Sequence, residues 1–387
     1  MAIFVINWVF SMNKKIGLLG GGQLGRMLIQ EAIDLDVEIH CLENDINAPC
    51  ANIAHGFTNG SITDKQTVLD FGTAFDLITV EIENVSIEAL YELEALGKKV
   101  YPQPRVLELI RDKGVQKEFY KTHQIPTADF QLITDSIGLQ APMEFPFVQK
   151  MRVGGYDGKG VKIIRSQMDW DKRFTASSVI ESMIPFEKEI SVIVARNEAG
   201  EVKTFDAVEC EFNSEANLVE FQFSPAAISN EVEAKAQKIA KDVISKLNMV
   251  GLLAVEFFLT KSGELLVNEI APRPHNSGHH TIECCYTSQF AQHLRSILNL
   301  PLGNSGLIMP GAMLNVLGAP GYEGTAFYEG LEDILSLDGV YPHLYGKTNT
   351  KPFRKMGHVT ILGDDLRVIK EKAEIVKNRL KCIASES

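Results

Sequence analysis

The stretch 252–280, LLAVEFFLTKSGELLVNEIAPRPHNSGHH, holds the residues whose types and spacing most directly suggest chemistry. Two apolar runs, LLAVEFFLT and ELLVNEI, are joined by Lys261-Ser262-Gly263-Glu264, which predicts a β-hairpin. A loop centred on Ser262-Gly263 sets Glu256 directly opposite Glu269, with Cβ atoms roughly 4.5–5.5 Å apart. Two facing carboxylates repel unless a cation lies between them, and hard oxygen ligands suit Mg²⁺. Asn268 can add an amide oxygen only if the strand bends, because adjacent strand residues face opposite ways. The bland alternative is two glutamates on a wet sheet face. Against it, Glu256 sits within Ala-Val-Glu-Phe-Phe-Leu, a poor pattern for a solvated strand. The turn that follows, Pro272-Arg273-Pro274-His275-Asn276-Ser277-Gly278-His279, packs polar donors beside this pair. Arg273 suits a carboxylate or phosphate, and His275 suits acid–base work. The histidines of this segment would suit a transition metal, but the oxygen-rich Glu/Glu/Asn set favours Mg²⁺.

A second chemical segment lies upstream. Phe147-Val148-Gln149-Lys150 reads as a strand ending in lysine, followed by Gly154-Gly155-Tyr156-Asp157-Gly158-Lys159-Gly160 and the strand Val161-Lys162-Ile163-Ile164. Glycines at this density between strands predict a hairpin lid whose N–H groups can wrap phosphate oxygens, with Lys150 and Lys159 supplying charge. It is not a Walker A loop, because G-x-x-x-x-G-K-[ST] is absent and a strand follows. An ordinary glycine-rich turn is the competing reading. Lys113 and Lys117 share one face of a helix expected over 105–123, where most such lysines are merely solvated. The run Val179–Ile184 is expected to pass from a strand into an extended connection, with backbone groups suited to an adenine edge. Glu189 can accept from ribose hydroxyls or be a surface acid.

These residues need elements to hold them. Lys15–Leu19, then Gly20-Gly21-Gly22-Gln23-Leu24-Gly25, then a helix to Asp34 match strand, G-x-G-x-x-G and helix. A strand to Leu42 followed by Glu43 fits a dinucleotide fold, although the motif alone promises only free N–H groups at a helix N-terminus. Glu83, after a strand ending at Val80, lies where α/β sheets bind ligands. Ser229–Met249 is expected to be a structural helix, with Asn230 and Glu233 resembling a capping box. Strands over 311–317 and 358–362 and a closing helix over 364–380 make the last part β-rich. Within it, Lys347 to Lys355 puts Lys347, Lys351, Arg354 and Lys355 close together, as a phosphate pocket or a solvated basic hairpin.

The chain has 387 residues, room for two or three domains. Its net charge of −12 argues against a general nucleic-acid or anionic-membrane binder. The six cysteines, at 41, 50, 210, 284, 285 and 382, suggest neither a zinc site nor a disulfide framework, which points to a reducing cytoplasm. Residues 1–12 are apolar in part, too short to span a bilayer and without signal-peptide features, and read as a non-essential leader.

In this order, the lysine-ended strand, glycine lid, hinge acids, facing glutamates and Asn-Glu resemble the ATP-grasp superfamily. GGGQLGRM (20–27), EIENV (81–85), GGYDGKG (154–160), NEIAPRPHNSGHH (268–280) and KPFRKMGH (351–358) closely resemble its N5-carboxyaminoimidazole ribonucleotide synthetase family. The resemblance implies an α/β, three-domain ATP-grasp architecture: a Rossmann-like N-terminal domain (13–104), a two-lobed ATP-grasp domain (105–300) and a small β-rich C-terminal domain (301–387). It implies ATP-dependent carboxylation of 5-aminoimidazole ribonucleotide by bicarbonate, through carboxyphosphate, in purine synthesis. Lys113 and Lys150 would contact the phosphates, and Gly155, Tyr156, Asp157, Gly158, Lys159, Gly160 and Val161 would close over them. Glu181, Ser182, Met183 and Ile184 would meet adenine, and Glu189 the ribose. Glu256, Glu269 and Asn268 would hold Mg²⁺, two ions in all, with Asn268 and Glu269 also facing ATP. The ribonucleotide would lie among Gly22, Gln23, Leu24, Glu83, Tyr156, Arg273, His275, Asn276, Ser277, Lys347 and Arg354. Arg273 would steady the carboxylated intermediate, and Asp157 or His275 would take the amine proton. A homodimer and transfer of product to a separate mutase are also implied.

Two departures stand out. The family often has arginine at the position of Lys113, and it often places an ATP-site histidine in an Asn-x-His segment where this chain reads Glu211-Phe212-Asn213. Asn213 is the expected contact in its place. Three rivals remain: another ATP-grasp ligase, a nicotinamide-dependent oxidoreductase built on Gly20–Gly25, and a non-catalytic nucleotide-binding module. The first is disfavoured by HNSGH and KPFRKMGH. The second leaves the facing glutamates unexplained.

Overall fold

The computed structural model describes residues 14–134, 140–155, 160–213 and 218–385. The leader at 1–12 and the lid residues Tyr156, Asp157, Gly158 and Lys159 lie outside the described residues. Among the described residues, no helix is long and apolar enough to cross a membrane.

The first part is a parallel sheet with strand order Gly56–Asn59, Val37–Glu43, Lys14–Leu19, Leu77–Val80, Lys99–Tyr101. Its two central strands are buried over Ile16–Leu19 and Leu77–Val80, as expected where helices cover both faces of a parallel sheet. The helix Gln23–Asp34 buries Leu24, Met27, Leu28 and Ala32, the three-four spacing of a core-facing stripe. Strands Lys14–Leu19 and Leu77–Val80 end beside each other, with Glu81 N–H donating to Leu19 O at 2.9 Å. This junction places the Gly20–Gly25 loop next to Glu81.

The expected helix over 105–123 is two helices, Pro104–Arg111 and Lys113–Thr122. Asp112 breaks it, with extended backbone and a carboxylate that accepts from the N–H groups of Gly114 and Val115. The same carboxylate takes Arg152 in two bonds of 2.8 and 2.6 Å. The break therefore ties the start of the second helix to the chain just before the glycine lid.

Two sheets follow. A small antiparallel sheet runs Phe130–Ile133, Ser178–Ser182, Phe147–Met151, Val161–Ile164, and packs Phe147, Ile164 and Ile180 around the fully buried Trp170. A nine-stranded sheet runs Leu265–Ala271, Gly251–Thr260, Phe186–Arg196, Val208–Asn213, Leu218–Ser224, Gly311–Leu317, Lys355–Leu362, Val340–Leu344, with Val202–Thr204 paired to Phe186–Arg196. The β-rich last part thus continues the sheet of the middle part, joined where Leu218–Ser224 pairs with Gly311–Leu317.

The helix Asn230–Lys246 buries Ala236, Ile239, Ala240, Val243 and Ile244 in the core beneath this sheet. Its cap is Ser229, accepting from Val232 N–H, and not the expected Asn230–Glu233 box, because Glu233 instead accepts from Ala207 N–H at 3.0 Å. The last helix, Leu366–Arg379, does not close the chain: Lys381–Ala384 follows as a strand beside Gly324–Glu329.

Candidate active site

The hairpin brings Glu256 opposite Glu269, but by a route the sequence does not announce. Gly263 has a φ of 79°, and Gly263 N–H donates to Thr260 O while Thr260 N–H donates to Glu264 O. This shorter loop gives the pairs Leu259–Leu265, Phe258–Leu266 and Phe257–Val267, a register that would put Asn268 opposite Glu256. A bulge at Asn268 supplies the extra residue and restores Glu256–Glu269. It also meets the condition for Asn268 to join Glu269, since both side chains engage lysines of one cleft. Lys150 Nζ donates to Asn268 Oδ1 at 2.8 Å, and Lys113 Nζ bonds Glu269 Oε2.

The cations form one network. Lys150 Nζ also lies 3.0 Å from Glu181 Oε2, and Lys117 Nζ lies 3.2 Å from Glu181 Oε1. Lys117 is only 2% exposed, so the expectation of a solvated lysine is wrong: its ammonium is enclosed by Glu181 and by Thr127 Oγ1 at 2.6 Å. Burial, opposed by Glu181, pulls Lys117 down to about 8. The side chain of Glu181 is correspondingly turned to the lysines. Met183 is exposed and Ile184 half-buried, so the hinge backbone beyond Ser182 stays accessible.

Lys113 holds Glu269 low, whereas burial, then the charges of Glu269 and Glu189, push Glu256 up. Burial raises Glu189 to about 7. Glu189 and Ser191 alternate along one strand, and Ser191 pairs with Glu256, so Glu189 and Glu256 share a face. Among the described residues, Glu256 has no lysine or arginine nitrogen at ion-pair distance; its near cationic candidate is His275 Nε2 at 3.6 Å. Two facing carboxylates and an amide oxygen, one carboxylate lacking a counter-charge, fit a hard divalent cation. No described group of three or more His, Cys, Asp or Glu side chains could hold a metal by itself, so oxygens from a ligand would have to complete the shell.

The turn after the hairpin is clamped by Gln289, which accepts from His275 N–H and donates to His275 O, both at 2.8 Å. A side chain at Gly278 would meet Gln289 Oε1 at 2.5 Å, so the Gln289 clamp would have to move to admit it. Ser277 N–H donates to His275 Nδ1 at 3.3 Å, which places the ring proton on Nε2, facing Glu256. Burial, then Arg273 and Lys355, lower His275 to about 3, so the ring is neutral. Ser277 is 1% exposed and bonded to Ser191 Oγ at 2.8 Å, and Asn276 exchanges two amide bonds with Asn315. Both hold the turn in place; Ser277 is enclosed, while Asn276 stays half-buried. Arg273 Nε lies 2.9 Å from Glu83 Oε1, across the seam between the first and middle parts.

From the basic segment, Lys355 is near enough to act electrostatically on His275, while Lys347 Nζ and Arg354 Nη1 donate within the segment, to Lys355 O at 2.7 Å and Asn349 O at 2.6 Å. Gly155, Gly160 and Val161 flank the undescribed lid residues, and Met151 N–H donates to Gly160 O at 2.8 Å. Asn213 ends the strand Val208–Asn213, and its side chain lies outside the described residues.

The first glycine loop departs most from expectation. Glu81 accepts from Gly22 N–H at 2.5 Å and from Leu24 N–H at 2.9 Å, while Glu43 accepts from Gly21 N–H at 3.1 Å. A protein carboxylate already fills the helix N-terminus, so Gly22 and Leu24 have no N–H left for a ligand and Leu24 packs into the core. Gln23, half-buried, remains accessible. The plug also removes the dinucleotide-phosphate site on which the oxidoreductase reading depends. Glu81→Ala strands these N–H groups, and we expect it to lower unfolding stability by about 1–3 kcal/mol, read by denaturant titration; an unchanged midpoint would mean the plug is dispensable.

Comparison with known proteins agrees with this geometry. Residues 12–111 match the ribonucleotide synthetase preATP-grasp domain, 118–290 the ATP-grasp domain, and 311–372 the phosphoribosylaminoimidazole carboxylase C-terminal domain. The chain is 35% identical to N5-carboxyaminoimidazole ribonucleotide synthase of Bacillus subtilis, over 90% of this chain and 91% of that one. Longer relatives called phosphoribosylaminoimidazole carboxylase are covered over 71% and 66% of their length. The crystal structure of N5-carboxyaminoimidazole ribonucleotide synthetase from Thermotoga maritima superposes with a TM-score of 0.89 at 40% identity, covering 96% of this chain and all of that one. The Aspergillus clavatus enzyme, solved with ADP and 5-aminoimidazole ribonucleotide, does so with 0.85 at 29% identity, covering 95% and 98%. The chain belongs to the N5-carboxyaminoimidazole ribonucleotide synthase family of ATP-grasp enzymes.

Proposed function

We propose that this chain uses ATP to carboxylate 5-aminoimidazole ribonucleotide with bicarbonate, giving N5-carboxyaminoimidazole ribonucleotide, ADP and phosphate in purine biosynthesis. The single observation that carries the site assignment is the convergence of Lys113 and Lys150 on Glu269 and Asn268, opposite Glu256. ATP lies between the small sheet and the hairpin, with adenine against the backbone at Met183–Ile184, ribose at Glu189 and the phosphates at Lys113 and Lys150. Glu256, Glu269 and Asn268 would hold Mg²⁺, which when bound would neutralise phosphate charge.

A bicarbonate oxygen attacks the γ-phosphorus, the bond to the β-bridging oxygen breaks, and ADP leaves. Bringing two anions together is the barrier, and the lysines lower it by fixed positive charge. The carboxyphosphate formed reacts readily with water, so the glycine lid excludes solvent. The exocyclic amine then attacks the carboxyl carbon and phosphate departs. Arg273 steadies the carboxylated intermediate, exchanging Glu83 for that anion. Because Ser277 occupies the Nδ1 lone pair of His275, that ring is a poor base as held here, and Asp157 is the expected proton acceptor. Lys347, Arg354 and Lys355 receive the 5′-phosphate. Assembly as a homodimer and transfer of product to a separate mutase complete the reading.

The test is phosphate release from Mg-ATP in bicarbonate buffer, with and without the ribonucleotide. Release that requires it is expected; turnover indifferent to it would move the reading to another acceptor, and tight ATP binding without turnover would leave a binding module.

A further inference from the structure

We infer that Lys117, whose ammonium bonds Thr127 and faces Glu181, is a positioning residue that sets how firmly Glu181 holds the phosphate-facing Lys150. The inference rests on the assignment of Lys150 to the ATP phosphates.

The geometry is a chain of alternating charge. Lys117 Nζ faces Glu181 Oε1 at 3.2 Å, Glu181 Oε2 faces Lys150 Nζ at 3.0 Å, and Lys150 Nζ reaches Asn268 Oδ1 at 2.8 Å. Lys117 and Glu181 are 2% and 3% exposed, and Lys150 is 9% exposed, at the open end. The Lys117–Glu181 contact is close yet misaligned, leaving Glu181 Oε1 without a hydrogen bond. Lys117 is fixed instead through Thr127 Oγ1, which donates to Val267 O at 2.7 Å, next to Asn268. The ammonium is thereby held by the backbone of the strand that carries the metal donors.

One buried carboxylate facing two ammonium groups can be neutralised by either. With Lys117 in place, Glu181 is compensated from behind, and Lys150 can turn from it to the nucleotide at little electrostatic cost. Without Lys117, Lys150 is the remaining ammonium beside a desolvated carboxylate, and removing one partner of a buried pair is strongly unfavourable. Lys150 is then retained by Glu181. A purely structural buried pair makes a different prediction, because Glu181→Gln would leave two buried ammonium groups uncompensated and should be the more damaging change.

The experiment compares kcat/KM for ATP and the KM for the ribonucleotide in the wild-type enzyme, Lys117→Met, Glu181→Gln, the double variant and Lys117→Arg, with folding checked by circular dichroism. Wild-type turnover tests the functional reading; only the ranking of variants tests the role of Lys117. Lys117→Met is expected to lose about 10–100-fold in kcat/KM for ATP with the ribonucleotide KM unchanged. Adding Glu181→Gln to it should recover part of that loss, a coupling that a double-mutant cycle reads directly. Should Lys117→Met fail to fold, Lys117→Arg decides: retained ATP kinetics support a charge role, and a loss of about 10-fold or more, the size expected of Lys117→Met, overturns it. A double variant no better than Lys117→Met, or Glu181→Gln the worse single change, also overturns the inference.

Discussion

Glu269→Gln lowers ribonucleotide-dependent phosphate release by at least about 10²-fold. Three features put this residue at the centre of the site. It faces Glu256 across the hairpin, it bonds Lys113, and the bulge at Asn268 exists in a register that brings it there. Glutamine keeps the shape and removes the charge. It cannot balance Lys113, and it replaces an anionic oxygen by an amide in a set that already contains Asn268. The loss should therefore fall on kcat, with the far-UV circular dichroism unchanged. Glu264→Gln, at the exposed hairpin loop, serves as the control and should match wild type. Release within a few-fold of wild type in Glu269→Gln would remove the hairpin from the chemistry.

What the sequence reveals of this site follows from what is local. The apolar runs flanking Gly263, the strand carrying Lys150 (which runs one residue further, to Met151) and the glycines before Val161 are short-range patterns, and the strands they predict are observed. The facing glutamates are correctly paired although two deviations, a shorter loop and a bulge, cancel. Non-local packing hides the rest. Lys117 has the spacing of a surface residue, and only Glu181, on a distant strand, makes it a buried ion. Gly22 and Leu24 have the spacing of a phosphate loop, and only Glu81, brought beside them by the parallel pairing of Lys14–Leu19 with Leu77–Val80, consumes their N–H groups. Ser277 is enclosed beside Ser191, and the Asn276 amide is engaged by Asn315, in the same non-local way. A donor in a motif is available only if the fold leaves it unbonded, which spacing does not encode.

Glu256→Gln separates function from stability in one residue. Burial and neighbouring acids raise the Glu256 carboxyl above the ordinary glutamate range, and burial raises Glu189 to about 7. A carboxyl raised on folding stabilises fully below its unfolded pKa, and that contribution is lost as pH rises through the folded value. Glu269, held low by Lys113, has the opposite sign: its contribution is present above the ordinary range and is lost on acidification. From about pH 5 to pH 8, the protein without metal or nucleotide should therefore lose stability through Glu256 and Glu189. Glutamine at 256 removes the larger share of that loss. At pH 8 the variant should exceed wild type by on the order of 1 kcal/mol, while at pH 5 the two should nearly coincide. Saturating Mg-ATP reverses the order at pH 8, because it compensates the wild-type carboxylate and gains less from the amide. Ribonucleotide-dependent turnover of the variant falls by about 10²-fold. Thermal melts at both pH values, with and without Mg-ATP, read all of these outcomes. A variant that is no more stable than wild type at pH 8 without ligand would show that Glu256 is not a carboxylate awaiting a cation, and the metal assignment of the hairpin would fall with it.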